Sequence, residues 1–217
     1  MLKVPYDVFR FQYITHENER MTYLDGARAA LAGGCRWIQL RMKHAKRKEM
    51  IEVGRILRKE CKEHGAMLII DDHVEICYEL RADGVHLGKD DMKPEDARDL
   101  LGNDCIIGVT CHSQEEIAEA QYNWADYAGV GPFRHTTTKE KLNTVLGLEG
   151  YERIHRECWE AGSTLAKVAI GGITASDIRP IMRTGMDGVA ISGEILNASD
   201  PVGKTREILE QLEKIPY

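Results

Sequence analysis

DYAGVGPFRHTTTKEK, residues Asp126 to Lys141, runs a short apolar strand pattern straight into three hydroxyl residues, Thr136, Thr137 and Thr138, followed by one cation, Lys139. Hydroxyls, backbone N–H groups and an ammonium gathered at a strand end suit a phosphate. The same grammar recurs at VAIGGIT (Val168 to Thr174) and GVAISGE (Gly188 to Glu194), where apolar runs break into small residues that let backbone amides approach an anion. Three such ends call for a fold that collects strand termini in one place.

Outward from this stretch, short apolar runs alternate with segments of helical spacing along the whole chain. Strands are expected to end near Thr15, Met42, Asp71, Leu87, Val109, Gly131, Ile170 and Ile191. Amphipathic stretches lie between them: Met21 to Ala32, Arg47 to His64, Pro94 to Leu101, Gln114 to Asn123, Leu148 to Ala161, Ser176 to Thr184 and Pro201 to Lys214. Pro94 and Pro201 stand where a first helical turn tolerates proline. Strand–helix alternation implies right-handed βαβ units. Eight of them in 217 residues match an α/β fold with a single (β/α)8 TIM barrel spanning 1–217. A doubly wound open sheet is the alternative; polar residues after nearly every strand favour the barrel, which builds its site from several strand ends at once. The stretch from Thr136 to Gly147 is the one long loop, and such loops are often lids.

Other strand ends carry their own chemistry. In WIQLRMK, alternation puts Gln39, Arg41 and Lys43 on one strand face. Two inward cations are costly unless they meet an anion, whereas on an edge strand they are simply solvated. MLIIDDHVE ends at Asp71 and Asp72, and GVHLGKDDM ends at Asp90 and Asp91. Carboxylates at adjacent strand ends can share a hard cation such as Mg²⁺, which takes one or two of them plus phosphate oxygens. Helix capping or solvent exposure competes for Asp71 and Asp90, while Asp72 with Asp91 favours metal. Thr110, in IIGVTCHS, either faces the pocket or caps the next helix, as Ser113 can. His86 reads as a hydrogen-bonded core residue behind the site. Cys111 and His112 are strand neighbours that point apart, so they do not make a nucleophile and base.

Hydrophobic residues at 43% and charged residues at 29% describe a globular chain, and a net charge of −6 argues against nucleic acid as the main partner. Six cysteines show no C-x-x-C pair and no zinc spacing, so they read as reduced packing thiols. No run approaches the roughly 20 apolar residues of a membrane span. No membrane partner and a cytoplasmic location are the expectations.

Taken together, QLRMK, IIDD with GVHLGKDD, GVTCHS, DYAGVGPFRHTTTK, AIGGIT and GVAISGEI stand in the order and spacing of thiamine-phosphate synthase, and the chain resembles that family from about Tyr13 to Ile195. The resemblance implies a transferase that joins 4-amino-2-methyl-5-hydroxymethylpyrimidine diphosphate to hydroxyethylthiazole phosphate, releasing diphosphate and thiamine phosphate. It implies Mg²⁺ on Asp72 and Asp91, and a clamp on the leaving diphosphate from Arg41, Lys43 and Lys139. Gln39 would face the pyrimidine, with Leu40 and Met42 in the same substrate-contacting segment and Thr110 near the reacting centre. Thr136 and Thr138, with amides around Thr137, Gly172, Ser192 and Gly193, would hold the thiazole phosphate. A compact homo-oligomer is implied as well.

In the family mechanism the pyrimidine–diphosphate bond ionises first, so no side-chain nucleophile is expected. Asp71 departs from the pattern, standing where the family commonly has an asparagine that contacts the diphosphate; a carboxylate there repels the anion unless it is paired or metal-bound. Two other readings use the same barrel: a thiazole tautomerase, which does not need the paired aspartates, and a non-catalytic sensor of thiazole phosphate or thiamine phosphate.

Overall fold

The structure, a computed structural model, describes residues 6–135 and 145–216. Thr136, Thr137, Thr138 and Lys139, with most of the expected 136–147 loop, lie outside the described residues.

Eight strands form in chain order: β1 (Phe11–Ile14), β2 (Trp37–Leu40), β3 (Met67–Asp71), β4 (Gly84–Leu87), β5 (Ile106–Cys111), β6 (Tyr127–Val130), β7 (Ala166–Ala169) and β8 (Gly188–Ile191). Each pairs in parallel with the next, and β8 pairs back onto β1, closing the barrel. The expected (β/α)8 architecture is therefore observed. Helices α1 (Tyr23–Gly33), α2 (Arg47–Glu63), α3 (Val74–Leu80), α4 (Pro94–Leu101), α5 (Gln114–Tyr122), α6 (Gly147–Glu160), α7 (Ile178–Arg183), α8 (Gly193–Leu196) and α9 (Pro201–Glu213) occupy the connections.

Period-two alternation builds two cores. One face of the strands, with Tyr13, Ile38, Leu40, Leu68, Ile70, Val85 and Leu87, packs in one cluster with buried helix residues such as Leu31, Leu57 and Ile117. The other face, with Trp37, Ile69, Ile106, Tyr127, Val168 and Ala190, fills the barrel together with Phe9. Buried polar residues Gln12, Gln39, Asp71 and His86 share the interior alternation, and they are the part of it that needs partners.

Local signals set most boundaries. Thr22 and Asp25 form a capping box at the start of α1, and Gly34, at φ 109°, ends it in the left-handed conformation. Pro94 and Pro201 open α4 and α9, as their positions suggested. Two short helices, α3 and α8, were not anticipated; seven and four residues are too few to display a helical period. Strand β2 stops at Leu40 rather than Met42 because the Thr15 hydroxyl takes over the ladder, accepting from Arg41 N–H at 2.9 Å and donating to Arg41 C=O at 3.3 Å. Strand β5 runs on to Cys111, two residues beyond expectation. Among the described residues no helix is long and apolar enough to cross a membrane.

Candidate active site

At the carboxyl end of the barrel, Asp71 closes β3 with its side chain buried. Gln39 Nε2 donates to Asp71 Oδ1 at 2.5 Å, and Arg41 Nε lies 3.3 Å from Asp71 Oδ2. The carboxyl titrates well above its ordinary range, first because it is buried and then because Asp72 adds a like charge, while Arg41 and the Gln39 hydrogen bond pull the other way. Asp71 is thus a paired interior residue and not a helix cap; α3 begins after His73, which makes no side-chain cap. The expectation that Gln39, Arg41 and Lys43 share one strand face holds only in part. With β2 ended at Leu40, Arg41 still reaches the Asp71 carboxylate, but Lys43 is exposed and Met42 is buried.

Asp72 follows with φ 63°, a left-handed backbone that non-glycine residues rarely adopt. Its N–H donates to His86 C=O at 2.8 Å, locking the turn between β3 and β4. The turn brings its carboxyl close to that of Asp91. The Asp72 carboxyl is accordingly pushed up, by burial and then by the Asp91 charge. Asp91 is itself held by the loop after β4, where Gly88 N–H donates to Asp91 Oδ2 at 2.6 Å. Two neighbouring carboxyls form an all-oxygen donor pair that fits Mg²⁺, which uses few protein ligands and completes its shell with phosphate and water oxygens. Among the described residues no group of three or more His, Cys, Asp or Glu side chains is placed to hold a metal ion.

Thr110, near the end of β5, stands opposite Gly129 of β6. Its Oγ1 lies 3.0 Å from His86 Nε2, so the residue faces the barrel, while Ser113 takes the capping role by accepting from Glu116 N–H at 3.3 Å. Thr110 also borders, with Gly88 and Asp91, a cavity of about 320 Å³ that runs between the start of α4 and α5, past Pro94, Glu116 and Ala120. The Cys111 thiol is buried and pushed up by that burial, which removes it as a nucleophile.

Across the mouth, β7, β8 and the loop after β6 enclose a cavity of about 710 Å³ lined by Arg134, Gly172, Thr174, Ser192, Gly193 and, from the far side, Arg41. Gly172 sits at φ 72°, and a Cβ there would come within 2.5 Å of Arg134 Cγ, so glycine is required on both counts. Arg134 was not foreseen. Its guanidinium pairs with both Asp177 oxygens at 2.7 and 2.8 Å and donates to Gly172 C=O at 2.9 Å, making it a wall of the cavity with its charge already neutralised. A cation four residues past a strand end was its only trace in the sequence. Among the described residues Ser192 Oγ, just after β8, and Gln39 Oε1, on β2, are buried without a hydrogen-bond partner, on the two strands that flank β1, and each fits a bound ligand.

A closed parallel barrel with paired carboxylates, an arginine and orphaned polar atoms at its carboxyl end defines a (β/α)8 enzyme for small phosphorylated substrates. Comparison with known proteins narrows the class. The family model described as thiamine monophosphate synthase matches residues 11–195. A thiamine-phosphate synthase of Bacteroides thetaiotaomicron is 52% identical over 91% of this chain and 95% of its own length, and one of Flavobacterium johnsoniae is 38% identical over 96% of each. The solved thiamine phosphate pyrophosphorylase of Pyrococcus furiosus superposes with a TM-score of 0.84 at 34% identity, covering 96% of this chain and 98% of that one. The chain belongs to the thiamine monophosphate synthase family, and its relatives' activity is that of a transferase.

Proposed function

We propose that this chain is a Mg²⁺-dependent thiamine-phosphate synthase, joining the pyrimidine diphosphate to the thiazole phosphate with release of diphosphate, and that residues 1–217 act as one barrel domain. The observation that carries the reading is the Asp72–Asp91 carboxyl pair beside Arg41 at adjacent strand ends. In this reading Asp72 and Asp91 hold the cation, which when bound neutralises charge developing on the departing diphosphate.

Arg41, with Lys43 and Lys139, binds that diphosphate. Asp71 holds the Arg41 guanidinium in place, so its charge is positioned to stabilise the leaving group as the carbon–oxygen bond ionises, shared with that carboxylate. Gln39 presents its unpartnered Oε1 to the pyrimidine with Asp71 beside it, while Leu40 and Met42, whose side chains are buried in the core shared with the helices, would contribute backbone only. The pyrimidine amino group is a suitable donor to such an acceptor. Thr110 offers a hydroxyl to the same substrate. Thr136, Thr137 and Thr138 supply hydroxyl and amide donors to the thiazole phosphate, together with Gly172, Ser192 and Gly193. The thiazole nitrogen then captures the pyrimidine cation, so the protein provides no nucleophile.

Mixing the protein with both substrates, with and without Mg²⁺, and following thiamine phosphate and diphosphate together tests the proposal. Equal, metal-dependent appearance of the two products supports it. Binding of thiazole phosphate without any condensation sinks it in favour of the tautomerase or sensor.

A further inference from the structure

We infer that Tyr127 and His86 form a buried hydrogen-bond relay that fixes the Thr110 hydroxyl as a donor into the active site, an inference that rests on the proposed role of Thr110. Three contacts run in series through the barrel interior. Gln12 Nε2 donates to Tyr127 Oη at 3.4 Å, Tyr127 Oη lies 2.9 Å from His86 Nδ1, and His86 Nε2 lies 3.0 Å from Thr110 Oγ1.

Counting protons gives the series a direction. Tyr127 is fully buried and has one hydroxyl proton. Its oxygen already accepts from Gln12, so the acceptor in reach for that proton is His86 Nδ1. An imidazole that accepts at Nδ1 is protonated at Nε2. That N–H donates to Thr110 Oγ1, and a threonine whose oxygen is engaged in this way directs its own proton to another acceptor at the carboxyl end of β5, where the site lies. The reverse direction leaves the tyrosine proton buried and unmatched, which is costly in a fully enclosed interior.

The surrounding backbone is shaped for this arrangement. A Cβ on Gly108 would fall 2.1 Å from the Tyr127 ring, and one on Gly129 would fall 2.9 Å from His86 Cε1. Both glycines lie within strands, where glycine is otherwise unfavourable. Tyr127 is further held by Trp37 and Phe9, with ring centroids 4.9 and 5.6 Å away. The relay is therefore rigid, and Tyr127 and His86 are positioning residues that act through Thr110.

Two measurements test it. Long-range ¹H–¹⁵N correlation on histidine-labelled wild-type protein, with the His86 signals assigned by their loss in His86→Gln, should show a neutral ring in the Nε2–H tautomer. An Nδ1–H tautomer or an imidazolium overturns the relay. Steady-state kinetics of Thr110→Ala, Tyr127→Phe and the double variant supply the second readout. Tyr127→Phe keeps the ring and removes the proton, so kcat should fall about tenfold with both KM values unchanged. In the Thr110→Ala background the same change should cost less than about twofold. Full additivity, or no effect of Tyr127→Phe, refutes the coupling. If the wild type forms no thiamine phosphate, or Thr110→Ala is fully active, the functional reading has failed instead, and the tautomer then decides the relay by itself.

Discussion

Gly108→Ala should be among the most damaging single-methyl substitutions in this chain. The added Cβ would sit 2.1, 2.3 and 2.4 Å from Cζ, Cε1 and Oη of Tyr127, far inside contact distance for three atoms of one ring. The ring cannot retreat, because Trp37 packs edge-on at 4.9 Å, His86 lies at 5.4 Å and all of Tyr127 is buried. Overpacking a tight core typically costs 1–3 kcal/mol, and with no flexible neighbour the upper end, about 3 kcal/mol, applies. For a domain of this size each kcal/mol lowers Tm by about 2–4 °C, which puts the expected loss at about 6–12 °C. Gly65→Ala is the control. Nothing lies within 4 Å of its Cβ, so only the φ of 62° matters, at about 1–2 kcal/mol. Thermal unfolding followed by circular dichroism compares the two. A Gly108→Ala protein within about 2 °C of wild type would mean that the Tyr127 ring does not cover β5, and the packing argument would be refuted.

Asp91→Ala should keep the fold, losing only the acceptor for Gly88 N–H, yet lower Mg²⁺-dependent turnover by about 10²–10³; a near-normal rate with an unchanged Mg²⁺ titration contradicts the metal assignment. Asp71→Asn removes the negative charge now engaged with Arg41, so inorganic diphosphate should bind several-fold more tightly by calorimetry in the presence of Mg²⁺. Weaker binding would show that Asp71 holds Arg41 in place rather than competing for it. Burial pushes the Asp177 carboxyl up, but hydrogen bonds from Arg134 and Thr174 outweigh it and hold the group below its ordinary value. A folded pKa below the unfolded value of about 3.9 contributes stability that is present above that pH and lost as pH falls through the folded pKa. The Tm advantage of wild type over Asp177→Asn should therefore be full at pH 6 and shrink below about pH 4; a gap that stays constant to pH 3 refutes it.

How much of this was legible in the chain depends on the range of the interaction. Strand–helix alternation is local, and it identified eight strands and seven of the helices, missing α3 and α8 where the elements are shorter than their own period. The acidic strand ends were legible because carboxylates at IIDD and GKDD interrupt apolar runs. Their pairing was read from adjacent strand ends, whereas the left-handed backbone of Asp72, at φ 63°, is announced by no local pattern. The early end of β2 was hidden for a related reason. A hydroxyl 26 positions away, on Thr15, takes over the ladder at Arg41, ahead of the expected strand end at Met42.

The interior relay was least visible, because its signal is an absence of side chain. Gly108 and Gly129 look like ordinary small residues in GVT and AGV, and their meaning appears only when Tyr127 and His86 are set against them across strands. The same geometry answers the question raised by Asp71. An asparagine at that position would bring one donor and one acceptor; Asp71 brings two acceptors, and here two donors, Gln39 Nε2 and Arg41 Nε, meet them. The departure from the family pattern is thus compensated within the described residues. Its price is that Arg41 approaches an incoming anion already engaged; under the proposed function, a cation held by Asp72 and Asp91 would then take a larger share of the work of neutralising the diphosphate.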